Sequence, residues 1–129
     1  MSKGHSERFI TLVNDAKTRI DEISPDEVKD KLDDDNKEDF VLLDVREQDE
    51  WDKSHISGAE YLGKGILERD VEEEYPNTDS EIVLYCGGGY RSALAADNLQ
   101  KMGYTNVKSL KGGFRSWTQA GYPIEKADT

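Results

Sequence analysis

A chain of 129 residues, 35% hydrophobic and 35% charged, has the length of one ordinary domain with its own core. Its net charge of -11 would repel the phosphates of nucleic acids and of anionic membrane surfaces, which excludes both as partners. One cysteine cannot form an internal disulfide, and the N-terminal stretch shows neither a signal peptide nor a membrane span, so we expect a cytoplasmic location.

The N-terminal part of the chain predicts two helices. Apolar residues recur at helical intervals over 6–20, which indicates an amphipathic helix. A second, shorter helix is expected to extend to Leu32. Ser24 can cap it, Pro25 suits its first position, and Glu27 stands where a capping box requires it.

The middle of the chain begins with a continuous apolar run over 40–44 that ends in a carboxylate, as expected for a strand buried on both faces. A short helical turn over 47–54 and a strand over 59–62 follow. From Gly65 onward the pattern indicates a helix with a heavily charged face, which Pro76 and the turn-forming residues after it would close.

The C-terminal half shows the clearest patterns. A second buried strand is predicted over 82–86, a helix over 91–102 with Gly103 as its stop, a strand over 107–110 and a last helix over 113–121. Strands and helices alternate, and the apolar runs are continuous. We therefore predict a single α/β domain with a central, mainly parallel sheet, helices on both faces, and an additional N-terminal helix.

The segment YCGGGYRS places Cys86 at the end of a buried strand and just before a helix. Ligands of open parallel sheets bind at this edge of the sheet. Because glycines allow positive φ and close backbone approach, the amides of 87–92 can converge on one point, as in an anion site. The thiolate of Cys86 is such an anion, and the charge of Arg91 favours it as well. The pattern therefore favours a nucleophilic cysteine over a small buried hydrophobe.

Three other kinds of site have weaker support. The glycines lack the G-x-G-x-x-G spacing and the lysine of a phosphate-binding loop. His5 and His55 are the only histidines and no second cysteine exists, so neither a metal nor another cofactor is expected. A dyad of Cys86 with His55 is conceivable, but nothing in the sequence brings them together, and we interpret His55 as a structural residue.

Three motifs, in the same order, resemble those of the rhodanese-like sulfurtransferases. DVREQDEWDKSHISGA, over 44–59, is similar to the first motif of that family, and YCGGGYRS, over 85–92, is similar to its active-site loop. LKGGFRSWTQAGYPI, over 110–124, is similar to its closing motif. Together with the helix that starts at Ser24, the resemblance extends over 24–124 and leaves the first helix outside.

The resemblance implies a rhodanese-like domain at 21–126, with a helical extension at 1–20 before it and a tail at 127–129. It also implies that Cys86 carries a persulfide, a sulfur atom bonded to the cysteine sulfur. The loop residues that would hold this persulfide are Gly87, Gly88, Gly89, Tyr90, Arg91 and Ser92.

Other residues would have supporting roles by the same resemblance. Asp44 and Arg46 would form an internal charge pair near the loop, and His55 would hold its turn by hydrogen bonds. The residues that would position and pack the final helix against the sheet are Gly112, Gly113 and Trp117. The loop lacks the basic residue that many thiosulfate-using members carry directly after the cysteine, which leaves the donor open.

The function implied is transfer of sulfane sulfur from a donor such as thiosulfate, through Cys86, to an external acceptor. Since no second cysteine can resolve the persulfide, that acceptor would be cyanide in an assay, a small thiol, or a thioredoxin-like protein. One alternative is a cysteine phosphatase or arsenate reductase. Those families place five residues between cysteine and arginine, whereas this chain has four. The other is a non-catalytic binding or regulatory module of the same family, although inactive members usually lose the cysteine.

Overall fold

The computed structural model describes residues 5–34 and 39–127. The strands in this part of the chain are β1 (Asp21–Ile23), β2 (Phe40–Asp44), β3 (Ser54–Ile56), β4 (Glu60–Tyr61), β5 (Glu81–Tyr85), β6 (Val107–Leu110) and β7 (Ile124–Lys126). The helices are α1 (Glu7–Lys17), α2 (Pro25–Asp33), α3 (Gln48–Lys53), α4 (Lys64–Glu74), α5 (Tyr90–Lys101) and α6 (Gly113–Gln119).

The main sheet has five strands in the order β1-β6-β5-β2-β4, and every neighbouring pair is parallel. Successive strand residues alternate between two cores, as the pleat requires. Leu43 and Leu84 belong to the core that contains α1, α4 and α5, whereas Leu42 and Val83 belong to the core that contains α2 and α6. The predicted α/β fold, with helices on both faces of a mainly parallel sheet, is confirmed.

The helix caps follow from local sequence. α1 begins at Glu7 because the Ser6 side chain caps it, accepting a hydrogen bond from the Phe9 amide. It ends at Lys17, three residues before the predicted end, where the Thr18 amide donates to the Asp15 carbonyl. At the start of α2 the predicted capping box is confirmed. The Ser24 hydroxyl accepts from the Glu27 amide, and the Glu27 carboxylate accepts from the Ser24 amide.

Three short strands, β1, β3 and β7, are not predicted from sequence. β1 has only Ile23 buried and β7 has no buried residue, so neither shows an apolar pattern. These strands are defined by their pairing partners. β1 pairs with the longer strand β6, and β3 and β7 pair with each other in antiparallel orientation. The strand predicted over 59–62 is reduced to Glu60–Tyr61, since the Ala59 amide donates to the Ile56 carbonyl in a turn.

The predicted N-terminal helix is present and packs on α5. Val13 and Ala16 are buried in the core on that side of the sheet. Just after α1, Arg19 forms two hydrogen bonds, at 3.0 and 2.8 Å, to the carboxylate of Asp97, which is 6% exposed. The helix therefore shares the core of the domain. The domain boundary after residue 20 stays a prediction.

Candidate active site

Cys86 follows β5 directly, and its sulfur lies where the chain curls into α5. The sulfur accepts hydrogen bonds from the amide of Gly89 at 3.1 Å and from the amide of Ser92 at 3.4 Å. The Ser92 hydroxyl lies 3.5 Å from the same sulfur atom. Cys86 is only 1% exposed. Backbone donors therefore lie against the sulfur from the side of the loop.

The tight curl of the loop depends on Gly89, which has a φ of +95° and caps α5. A Cβ atom there would lie 3.3 Å from the amide nitrogen of Gly112, so the two loops approach closely. Within the described part of the chain, several further amides of this loop donate to no acceptor, as expected before the first turn of a helix is complete: Gly87, Gly88, Tyr90 and Arg91.

The beginning of α6 holds the other side of the loop. The amide of Phe114 donates to the Cys86 carbonyl at 2.8 Å, and the amide of Arg115 donates to the Gly87 carbonyl at 3.0 Å. A Cβ at Gly113 would lie 2.4 Å from the Cys86 carbonyl oxygen. Gly113 therefore allows the start of α6 to pack directly against the backbone of the cysteine loop.

A buried pair of hydroxyl groups lies next to the cysteine loop, on the side of β6. The Ser92 and Ser109 oxygens are 2.8 Å apart, and both residues are fully buried. Ser109, in β6, is not singled out by sequence reasoning, because a serine in a short strand carries no signal of its own. Its pairing fixes the hydroxyl that lies against the Cys86 sulfur.

Arg91 is paired with a carboxylate that sequence reasoning does not identify. Its guanidinium donates to both carboxylate oxygens of Glu50, at 2.8 and 3.3 Å. This hydrogen-bonded pair raises the pKa of Arg91 and lowers that of Glu50, so both are charged at neutral pH. The positive charge that Arg91 offers to Cys86 is therefore offset in part. The place of Glu50 within the motif over 44–59 is its only sequence signal.

A pocket of about 580 Å³ opens in front of the cysteine. One wall is aromatic. The rings of His5 and Tyr90 are 4.6 Å apart, and Phe9 lies 6.2 Å from Tyr90. The N-terminal segment thus lines the pocket although it lies outside the predicted motifs. The remaining lining residues are Ser6, Glu50, Cys86, Gly87, Gly88, Arg91 and Arg115.

Asp44 and Arg46 form a buried ion pair rather than part of the pocket wall. Arg46 Nη2 lies 2.7 Å from Asp44 Oδ2, and the residues are 5% and 0% exposed. Arg46 also donates to the Ser54 carbonyl, and its guanidinium lies 4.5 Å from the ring centre of Phe114. Burial opposes the charge of Arg46, but hydrogen bonding and the charge of Asp44 outweigh it and raise its pKa. One route from the pair to Cys86 is through Phe114, whose amide donates a hydrogen bond to the Cys86 carbonyl.

We expect Asp44→Asn to lower the free energy of unfolding by about 3 kcal/mol, because it leaves the buried charge of Arg46 uncompensated. Urea unfolding followed by tryptophan fluorescence measures this loss. Asp70→Asn is the matched control, since Asp70 pairs with a mostly exposed Arg69 and its loss should matter far less. Equal losses in the two variants would contradict a structural role for the buried pair.

His55 contacts α3 rather than the cysteine loop. Its ring stacks on Trp51 at 3.5 Å, and its Nδ1 lies 3.2 Å from the Trp51 carbonyl oxygen. In residues 5–34 and 39–127, no hydrogen bond joins it to Cys86, and no cluster of three metal-ligating side chains is present.

None of the helices described combines the length and apolarity needed to cross a bilayer.

A known family matches most of the chain. The model of the family described as "Rhodanese-like domain" matches residues 24–120. Over 92 residues the chain is 34% identical to the thiosulfate sulfurtransferase GlpE of Coxiella burnetii. This match covers 71% of the chain and 83% of GlpE. Over 99 residues it is 38% identical to the "Putative sulfur carrier protein YrkF" of Bacillus subtilis. That match covers 77% of this chain and 51% of YrkF, so the chain spans about half of that relative.

Among solved structures, one similar protein comes from Rhodopseudomonas palustris, is of unknown function and is described as a "Possible Tyrosine Phosphatase". It superimposes with a TM-score of 0.76 at 29% sequence identity. The similarity covers 97% of this chain and 99% of the other, so it extends to nearly the whole chain.

Proposed function

This chain belongs to the rhodanese-like domain family, and from that premise we propose that it is a sulfurtransferase that carries sulfane sulfur on Cys86. The observation that carries the proposal is the sulfur of Cys86, held by two backbone amides and facing a pocket. The names of the similar proteins, a sulfurtransferase and a sulfur carrier, agree with it. We also propose a cytoplasmic location, where reduced thiols are abundant as acceptors.

The first half of the proposed reaction loads the cysteine. The Cys86 thiolate attacks the outer sulfur of thiosulfate, the sulfur–sulfur bond of the donor breaks, and sulfite leaves with the electron pair of that bond. The product is an anionic persulfide on Cys86. The free amides of the loop supply hydrogen-bond donors for the new charge, which is the role we propose for the glycine-rich segment 87–92.

The second half of the proposed reaction removes the outer sulfur from the Cys86 persulfide. A nucleophilic acceptor, cyanide or a thiolate, attacks the outer sulfur of the persulfide and leaves with it, and the Cys86 thiolate is regenerated. No internal thiol can compete, because the chain has one cysteine. A small thiol, or a thioredoxin-like protein with an exposed thiolate, is therefore the acceptor class that we propose.

The alternatives have less support. A non-catalytic module needs neither an intact cysteine nor donors aimed at it, yet both are present. A phosphatase must enclose a tetrahedral oxyanion, and only four residues separate Cys86 from Arg91. This shorter ring fits a sulfur atom better. The description of the Rhodopseudomonas palustris protein nevertheless makes phosphate esters a necessary comparison.

A two-substrate assay tests the proposal. With thiosulfate and cyanide we expect sulfite and thiocyanate in equal amounts, and parallel lines in double-reciprocal plots, because donor and acceptor react in separate steps. In parallel, p-nitrophenyl phosphate should not be hydrolysed. Hydrolysis of the phosphate ester without any release of sulfite from thiosulfate would overturn the proposal in favour of a phosphatase.

A further inference from the structure

Two guanidinium groups border the pocket in front of Cys86, and they differ in their pairing. Arg91 is bound by both oxygens of Glu50. Arg115, on α6, is exposed and has no carboxylate within ion-pair distance in the part of the chain that the structure describes. The positive charge that faces this pocket without a partner is therefore that of Arg115.

Arg115 is held in a fixed relation to the loop. Its amide donates to the Gly87 carbonyl at 3.0 Å, so its backbone cannot move independently of the cysteine loop. Its Nη1 lies 3.5 Å from the point where a Cβ would stand at Gly88. On the other flank, Arg91 Nη2 lies 3.4 Å from the corresponding point at Gly87. Both guanidinium groups therefore lie close to the loop backbone beside the sulfur.

The charge of the rest of the molecule disfavours an anionic donor, and a cation at the pocket would offset this repulsion. The chain carries a net charge of -11, and Glu50 lines the same pocket. An anionic donor is therefore repelled at long range and meets a carboxylate near the sulfur. A guanidinium without a partner, with several donors in one plane, is suited to an oxyanion such as a sulfonate.

We propose that Arg115 binds the oxyanion of the sulfur donor and thereby determines its class, an anionic thiosulfate or thiosulfonate rather than a neutral sulfur compound. This inference rests on the proposed sulfurtransferase function and adds the residue that selects the donor. Arg115 supplies from α6 the charge that the loop lacks directly after Cys86, where Gly87 stands.

Three variants test the proposal in the thiosulfate and cyanide assay. Arg115→Gln should raise the KM for thiosulfate by about tenfold to a hundredfold, as expected for the loss of a hydrogen-bonded charge, with kcat nearly unchanged. Arg115→Lys should restore part of the affinity, because it keeps the charge but loses the planar set of donors. Arg69→Gln removes the same charge from the exposed surface of α4, where Arg69 is paired with Asp70, and should leave the KM unchanged. An unchanged KM in Arg115→Gln would overturn the role of Arg115 without affecting the proposed function.

A second measurement does not depend on sulfur transfer. Iodoacetate and iodoacetamide alkylate the same thiol but differ in charge, so the ratio of their rates reports the cation near Cys86. Arg115→Gln should lower the ratio of the iodoacetate to the iodoacetamide rate severalfold, whereas Arg69→Gln should not. If the ratio in Arg115→Gln equals that of the unmodified chain, the proposed anion site is wrong, whatever reaction the protein catalyses.

Discussion

Replacing Cys86 by serine is expected to reduce sulfur transfer from thiosulfate to cyanide to the rate of the uncatalysed reaction. A hydroxyl is a weak nucleophile unless a base removes its proton. In the described part of the chain, the groups within hydrogen-bond distance of the sulfur are two backbone amides and the Ser92 hydroxyl. None of these groups is a base. The measurement is the initial rate of thiocyanate formation at equal protein concentration.

The same variant should keep its fold. Serine is close to cysteine in volume and can accept the hydrogen bonds of Gly89 and Ser92, so we expect its free energy of unfolding to fall by about 1 kcal/mol or less. Far-ultraviolet circular dichroism and a urea titration provide this control. Sulfur transfer by a folded Cys86→Ser protein at the rate of the unmodified chain would show that the cysteine is not the carrier.

Gly113→Ala is expected to lower the sulfur-transfer rate by about a hundredfold, the size of effect that a misplaced reacting group can produce. The new Cβ would lie 2.4 Å from the Cys86 carbonyl oxygen and 3.0 Å from the carbonyl carbon and oxygen of Gly87. These are backbone atoms and cannot rotate away, so the cysteine loop or α6 must shift. We also expect stability to fall by about 2 kcal/mol from this overpacking.

Gly121→Ala is the matched control for this substitution. Gly121 lies just beyond the other end of α6 and also has a positive φ, +78°, but a Cβ there meets no atom within 4 Å. It should therefore show the backbone strain alone, about 1 kcal/mol, and keep its activity. If Gly113→Ala and Gly121→Ala lost the same activity and stability, close packing of α6 on the loop would not be what positions Cys86.

The features predicted correctly are those encoded in contiguous sequence. The strand before Cys86, the glycines after it and the helix beyond lie within about twenty residues, so apolar period and glycine spacing suffice to place them. The capping box of Ser24 and Glu27 is local in the same sense. Continuous apolar strands alternating with helices were enough to predict the parallel sheet.

What sequence reasoning missed depends on contacts between distant segments. Glu50 meets Arg91 across 41 positions, and Ser92 meets Ser109 across 17. Arg115 borders the cysteine only because α6 folds back on the loop. None of these residues differs in type from many exposed charged or polar residues of the chain. The roles of Glu50, Ser109 and Arg115 become visible only when packing brings them to the cysteine loop.

Mass spectrometry of the intact protein tests directly whether Cys86 carries one sulfur atom. After incubation with thiosulfate and removal of the donor, we predict a gain of the mass of one sulfur atom, with one sulfite released per chain. Cys86→Ser should show no gain. The added sulfur should persist until dithiothreitol or reduced thioredoxin is supplied, and then be lost. An unchanged mass after thiosulfate, or loss of the sulfur at the same rate without any acceptor, would contradict the account.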